Sequence, residues 1–443
     1  MTTVLGSSST GRGIVHLGAG GFARSLPWWA TALAVDAEPG PWSITAVAHR
    51  SPDVVAALRA RDWQYDVTFL GPGSERTDRV GIVAGGLVTA EDPGAVVAEL
   101  AAAHTRVVTV TATEAAYVAD DALEANLAGR QPLTVVGQLV AAAERRLADG
   151  APALSVVSCD NVASGSTVLR RLAVEAAAGR GLDDVAAELD DRWSWPLSVV
   201  DRVVPTVTPA DQPDVIADAW WRWVLADDFA GPRPGWEHAG VQLVDDAEPW
   251  QHAKLLLVNA PHSLLALLGL TRGHQFVSEA MADSLVRRAV EALLSEVVPC
   301  VPTAPGLDPD AEATLTVERF AEQVVRHPLA QVAAEGSTKL PQRLKRPIDH
   351  QRSTGADASW STLAIALWVR AVDRRDVADR DADEVRTTAG RPATARAAAV
   401  IDLLGLASDH DDDPVRDQLA VWLARLVDHD DSEVHRAVAD RLG

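Results

Sequence analysis

Three side chains able to move a proton and stabilise an alkoxide lie close together between Asp245 and Leu264: Lys254, Asn259 and His262. At i, i+5 and i+8 they share one face of a regular helix, about 140° wide over roughly two turns. A lysine amine of suitable pKa serves as a general base, an amide N–H polarises a reacting oxygen, and an imidazole orients hydroxyl groups. Leu255 to Val258 between them is apolar, so the polar residues are expected to point out of a core and into a cleft. The plainer alternative is a snorkelling lysine, an Asn at a turn before Ala260-Pro261, and a structural histidine. Spacing alone does not choose between the two.

The elements that would position such a group begin at Gly13. An apolar strand runs into Gly18, Gly20 and Gly21, followed by a helical stretch from Phe22 to Val35. Glycines there allow a tight turn and let backbone amides approach a pyrophosphate at a helix N-terminus. The next strand, Trp42 to Ala48, is followed by His49, Arg50 and Ser51 instead of an acid, with Asp53 further on. An acid would receive ribose hydroxyls, whereas Arg50 would stack on adenine or meet a 2′-phosphate, so these residues leave both NAD, the expected cofactor, and NADP open. Strand-like stretches at Tyr65 to Leu70, Arg79 to Val83, Arg106 to Thr113 and Leu154 to Cys159 alternate with helical ones at Gly94 to Ala103, Leu133 to Leu147 and Ser166 to Ala178. Apolar strands alternating with helices predict an α/β Rossmann-type, doubly wound parallel sheet. Thr113-Glu114 and Asp160-Asn161 fall at carboxyl ends of its strands, where ligands bind.

A Trp-rich helix is predicted at Trp220 to Leu225, and beyond Trp250 the texture changes. Runs of period near 3.6 at Leu255 to Leu268, Val277 to Val298, Thr314 to Ala334, Thr362 to Val372, Arg396 to Leu404 and Pro414 to Val427 predict a mostly α-helical domain. The expected division is a dinucleotide-binding domain over 1–245 and a helical catalytic and substrate domain over 246–443. With 443 residues, 47% of them hydrophobic and 23% charged, two large globular domains are the natural reading.

A net charge of −22 argues against nucleic acid or an anionic membrane as partner. No apolar run of about 18 residues and no signal-peptide pattern stand out, so a cytoplasmic protein is expected. Cys159 and Cys300 lie far apart with no Cys/His cluster at zinc spacing, so neither a disulfide framework nor a metal site is expected.

In order along the chain, Gly18-Ala-Gly-Gly-Phe22, Arg50-Ser-Pro-Asp53, Val108-Thr-Val-Thr-Ala-Thr-Glu114 with Tyr117, Ser158-Cys-Asp-Asn161, Val200-Asp-Arg-Val-Val-Pro205, Lys254-Leu-Leu-Leu-Val-Asn259-Ala-Pro-His262 and Gly336-Ser-Thr-Lys-Leu-Pro-Gln-Arg343 resemble the mannitol dehydrogenase family. That group of polyol-specific long-chain dehydrogenases includes fructuronate and tagaturonate reductases. The resemblance implies a zinc-independent, nicotinamide-dependent oxidoreductase that interconverts a secondary alcohol of a polyol or sugar acid and the corresponding ketose or ketouronate. It makes Lys254 the general acid/base, Asn259 and Asn161 the groups that polarise the reacting oxygen, and His262 the one that orients substrate hydroxyls. It likewise implies Asp201, Lys339 and Arg343 as substrate-binding residues, and Gly18, Gly20, Gly21, Phe22, Arg50, Thr113 and Glu114 as cofactor-binding ones. A monomer or small homo-oligomer with small-molecule partners is expected.

The chain departs from the family pattern at Ala115 and Ala116, where a Lys-Gly pair is usual, and at Gln251, three residues before the lysine, where polyol dehydrogenases of the group commonly carry Glu. Those departures motivate the alternative of a weak or inactive relative that serves as a sugar- or cofactor-binding module.

Overall fold

The protein is described by a computed structural model covering residues 4–112, 133–205, 212–322, 324–408 and 413–443. The chain divides into two compact units, Met1–Glu248 and Pro249–Gly443.

In the first unit the strands in chain order are β1 (Val4–Leu5), β2 (Arg12–Leu17), β3 (Ser43–Ala48), β4 (Tyr65–Gly71), β5 (Ser74–Val80), β6 (Val83–Val88), β7 (Val107–Val110), β8 (Ser155–Ser158), β9 (Ser198–Asp201), β10 (Val215–Asp218), β11 (Arg222–Ala226) and β12 (Gln242–Val244). Five of them form the central sheet in the order β6-β3-β2-β7-β8, every neighbouring pair parallel. Successive residues of one strand serve opposite faces: Ile14, Val107 and Val157 enter one buried cluster, Val15, Val108 and Val156 another. Helices cover both clusters, with Leu100, Leu139 and Leu169 on one side and Ala30, Ala34, Val55 and Leu58 on the other. This is the doubly wound arrangement, and its strand order reverses beside β2.

Two local expectations are corrected. Trp220 to Leu225 is not a helix, because Arg222–Ala226 is β11, antiparallel to β9 with Trp223 opposite Val200. Trp223 is buried and its indole N–H donates to Ser198 Oγ at 2.9 Å, so cross-strand packing overrides the helical reading. The expected strand Arg79 to Val83 is divided, since β5 ends at Val80 and β6, in a different sheet, starts at Val83.

The second unit is helical, and among the described residues its only strand-like pairings are two isolated bridges. Its core is built from residues such as Leu264, Leu268, Val290, Leu293, Leu363 and Leu367, all buried. Helix Gly336–Thr354 was not anticipated, its prolines 341 and 347 having masked it. The helical run Glu248–Thr271 has 24 residues and holds an 18-residue window of mean hydropathy 1.5, enough by length and composition alone to cross a membrane. Of that window 72% is buried, as expected of a core helix.

One buried polar group ties β2 to β7. His16 Nδ1 lies 2.6 Å from Thr109 Oγ1 and Nε2 lies 2.9 Å from Thr111 Oγ1, so both ring nitrogens are satisfied. Burial, then the nearby His49, pulls its pKa down to about 3. The folded state therefore holds His16 neutral where the unfolded chain protonates it. Its stabilising effect is complete above pH 6.5 and is lost as the pH falls from 6.5 toward 3. Urea unfolding between pH 6.5 and 5 should show a loss of up to about 1.4 kcal/mol per pH unit from this residue, absent in His16→Asn. Equal slopes for the two proteins would contradict it.

Candidate active site

In the first unit the turn after β2 is shaped for a dinucleotide. Gly18 has φ +107, and a Cβ there would lie 1.8 Å from Thr111 O, so both conformation and close approach require glycine. A Cβ on Gly20 would meet nothing within 4 Å, which leaves the backbone open. The helix begins at Gly21 with no side-chain cap on its first amides, and Phe22 packs on the core. Open backbone beside uncapped amides suits a pyrophosphate.

Arg24 holds this turn from behind. It is buried, its Nε donates to Gly20 O at 3.3 Å and its Nη1 to the carbonyls of Gln212 and Pro213. Arg50 follows β3 and is exposed. Asp53 is engaged locally, its carboxylate accepting the Ser51 hydroxyl at 2.6 Å. Thr113 and Glu114 lie outside the described residues.

Asn161 follows β8 and is exposed. Its neighbour Asp160 accepts the Ala112 N–H at 2.8 Å, joining the carboxyl ends of β7 and β8. Asp201 closes β9, half-buried and opposite Arg222 of β11.

In the second unit the spacing that suggested a shared helical face changes its meaning. Lys254 ends an α-helical stretch, Leu255–Asn259 is a π turn, and α-helix resumes at Ala260. The Ala260 N–H donates to Leu255 O, five residues back. A turn bonded in this way takes more residues, so positions five apart approach one line where a regular α-helix would set them about 140° apart. Lys254 and Asn259 bracket the turn, and His262 follows three residues on, the neighbouring position of the same side.

Pro261 supplies a physical reason for the break. It has no N–H for Leu257 O and its ring crowds that carbonyl, so the regular register cannot run through. Arg343, on helix Gly336–Thr354, braces the exit: its Nη1 donates to Asn259 O at 3.0 Å and to Ser263 Oγ at 2.5 Å. Burial pulls Arg343 down to about 10, still charged at neutral pH. Lys339 lies one turn before it, Nζ at 3.4 and 3.5 Å from Gln331 O and Val332 O. Their helix starts where Gly336 packs against Trp368, a Cβ on Gly336 falling 2.3 Å from that ring. Asp379 accepts from both the Ser337 N–H and the Trp368 indole, at 2.9 Å each.

His262 is held neutral: burial, then His327, Arg343, Arg319 and Lys339, push it well below its ordinary pKa. Its ring lies on Phe320, centroids 4.8 Å apart. Sequence reasoning assigned nothing to His16, Arg24, Pro261 or His327; the proline inside an apolar helical run was the one available signal. Among the described residues no group of three or more His, Cys, Asp or Glu is placed to hold a metal ion.

The parallel sheet, its glycine turn and the helical second unit define a Rossmann-type dehydrogenase class of fold. The mannitol dehydrogenase Rossmann domain matches residues 12–238 and the mannitol dehydrogenase C-terminal domain residues 246–411, so the chain belongs to the mannitol dehydrogenase family and is an oxidoreductase acting on CH–OH groups. D-mannonate oxidoreductase of Escherichia coli is 31% identical over 388 residues, covering 81% of this chain and 79% of the relative. Polyol:NADP oxidoreductase of Gluconobacter oxydans is 30% identical over 397 residues, covering 82% and 81%. The solved mannitol 2-dehydrogenase of Pseudomonas fluorescens, in ternary complex with NAD and D-mannitol, is similar with TM-score 0.84 and 26% identity over 99% of this chain and 98% of that one.

If the π turn sets the Lys254 to Asn259 alignment, Pro261→Ala returns a donor and favours the regular register. Turnover should fall by about tenfold or more while the protein melts no earlier than wild type. Steady-state rates beside thermal melts check this, and unchanged turnover would show that the turn is not required.

Proposed function

We propose that the chain interconverts a secondary alcohol of an open-chain polyol or sugar acid and the corresponding ketose or ketouronate without zinc, using NAD. The observation that carries the reading is the Lys254, Asn259 and His262 group around a π turn in a chain of this family. When bound, the nicotinamide supplies the hydride chemistry. NAD is the cofactor in the Pseudomonas fluorescens complex, and the Gly18, Gly20, Gly21 and Phe22 turn suits its pyrophosphate. Arg50 is assigned to the adenosine end, and Thr113 and Glu114 to the cofactor by resemblance alone.

Hydride leaves an alcohol carbon readily only as the hydroxyl proton departs, so Lys254 Nζ acts as the base, and as the acid in reverse. Amide N–H groups of Asn259 and Asn161 stabilise the developing alkoxide, each by roughly 2 to 4 kcal/mol. Neutral His262 donates to one hydroxyl or accepts from it, and Asp201, Lys339 and Arg343 are assigned to the remaining hydroxyls or a carboxylate. Arg343 also holds the lysine's helix in place through Asn259 O. Gln251 cannot take a proton from Lys254, so exchange with solvent falls to Glu248 or His252, six and two residues before the lysine respectively.

The test follows reduced-nicotinamide absorbance with NADH and with NADPH against fructose, fructuronate and tagaturonate. Turnover of at least one substrate, undiminished by EDTA, is expected. A folded protein that binds cofactor yet turns over nothing would instead support the binding-module reading, and loss of activity with EDTA would overturn zinc independence.

A further inference from the structure

His327, which no motif singled out, stands beside the proposed substrate residues. It lies between helices Pro309–Glu322 and Leu329–Ala333, and its backbone is fixed where the Val277 N–H donates to His327 O at 3.2 Å and Phe276 bridges Pro328. The imidazole meets the His262 ring edge to face, centroids 5.1 Å apart at 74°. On the other ring contact of His262, Phe320 is buried and limits where that imidazole can turn.

Each of the two histidines has a buried nitrogen without a hydrogen-bond partner among the described residues, Nε2 on His262 and Nδ1 on His327. Buried polar atoms are nearly always partnered, so two orphans on touching rings mark a place that something outside the chain completes. Burial lowers the pKa of both, with Lys339 adding to it for each. Each ring is therefore neutral at neutral pH, with one N–H and one lone pair. A hydroxyl also both donates and accepts, whereas a purely cationic lining would suit only acceptors.

We propose that His327 is a second substrate-binding imidazole, which together with His262 holds hydroxyls of the polyhydroxy chain. The proposal rests on the function proposed above. A purely structural histidine would have its nitrogens filled by protein atoms, as those of His16 are.

The test compares wild type with His327→Ala and with His327→Asn, which keeps one donor and one acceptor. At saturating cofactor, His327→Ala should raise KM for the best substrate of the panel by about tenfold or more with kcat changed less than about threefold. His327→Asn should recover part of that loss, and NADH affinity measured by fluorescence titration should stay at the wild-type value in both. An unchanged KM in active variants would overturn this proposal alone, and so would an equal fall in kcat and NADH affinity, the mark of general loosening. If His327→Ala does not fold, the KM of His327→Asn decides by the same criterion. No turnover by wild type would fell the proposed function first and this assignment with it.

Discussion

A missing hydrogen bond organises the centre of this protein. Pro261 offers no N–H to Leu257 O, the helix Glu248–Thr271 widens into a π turn just before it, and Arg343 reaches across from another helix to bond Asn259 O and Ser263. Without the widening, Lys254 and Asn259 would face directions about 140° apart. With it, amine and amide come toward one line, and His262 stands next to them. Local irregularity of this kind costs stability and persists because packing supplies it. Here the supply is visible in Leu256, Leu257, Leu264 and Leu265, all buried within 1% exposure.

The first unit solves a separate problem with equal economy. A dinucleotide needs backbone amides brought close with no side chain in the way, and Gly18 does this at a backbone angle and a distance from Thr111 O that no other residue tolerates. Arg24 then fixes the turn through Gly20 O and two carbonyls of the segment before β10, so a buried cation serves geometry and not charge recognition. Tyr65 extends the same network by donating to Arg24 O at 2.8 Å.

Much of this was legible from the residues. The alternation of apolar strands with helical runs reads directly as a doubly wound sheet, because each periodicity reports the face it buries. The glycine turn and the Lys254, Asn259, His262 spacing were equally plain. The rest depends on partners far along the chain. Trp223 looks helical among its neighbours and becomes a strand residue only opposite Val200. Helix Gly336–Thr354 is hidden by two prolines and held by Trp368 and Asp379. The π turn leaves no periodic signature over five residues, and His327 acquires meaning only from the ring of His262, 65 positions away in sequence. Thr113 and Glu114 rest on resemblance alone.

The central claim is that Lys254 is the base, and amine rescue tests it most directly. Lys254→Ala is assayed for single-turnover NADH formation from the best alcohol substrate, with and without ethylamine, while cofactor affinity is followed separately. The account predicts a rate lower by about 10² to 10⁴, partial recovery that rises with the free-base amine, and an unchanged affinity for NAD. A Lys254→Ala protein as fast as wild type without added amine would contradict it.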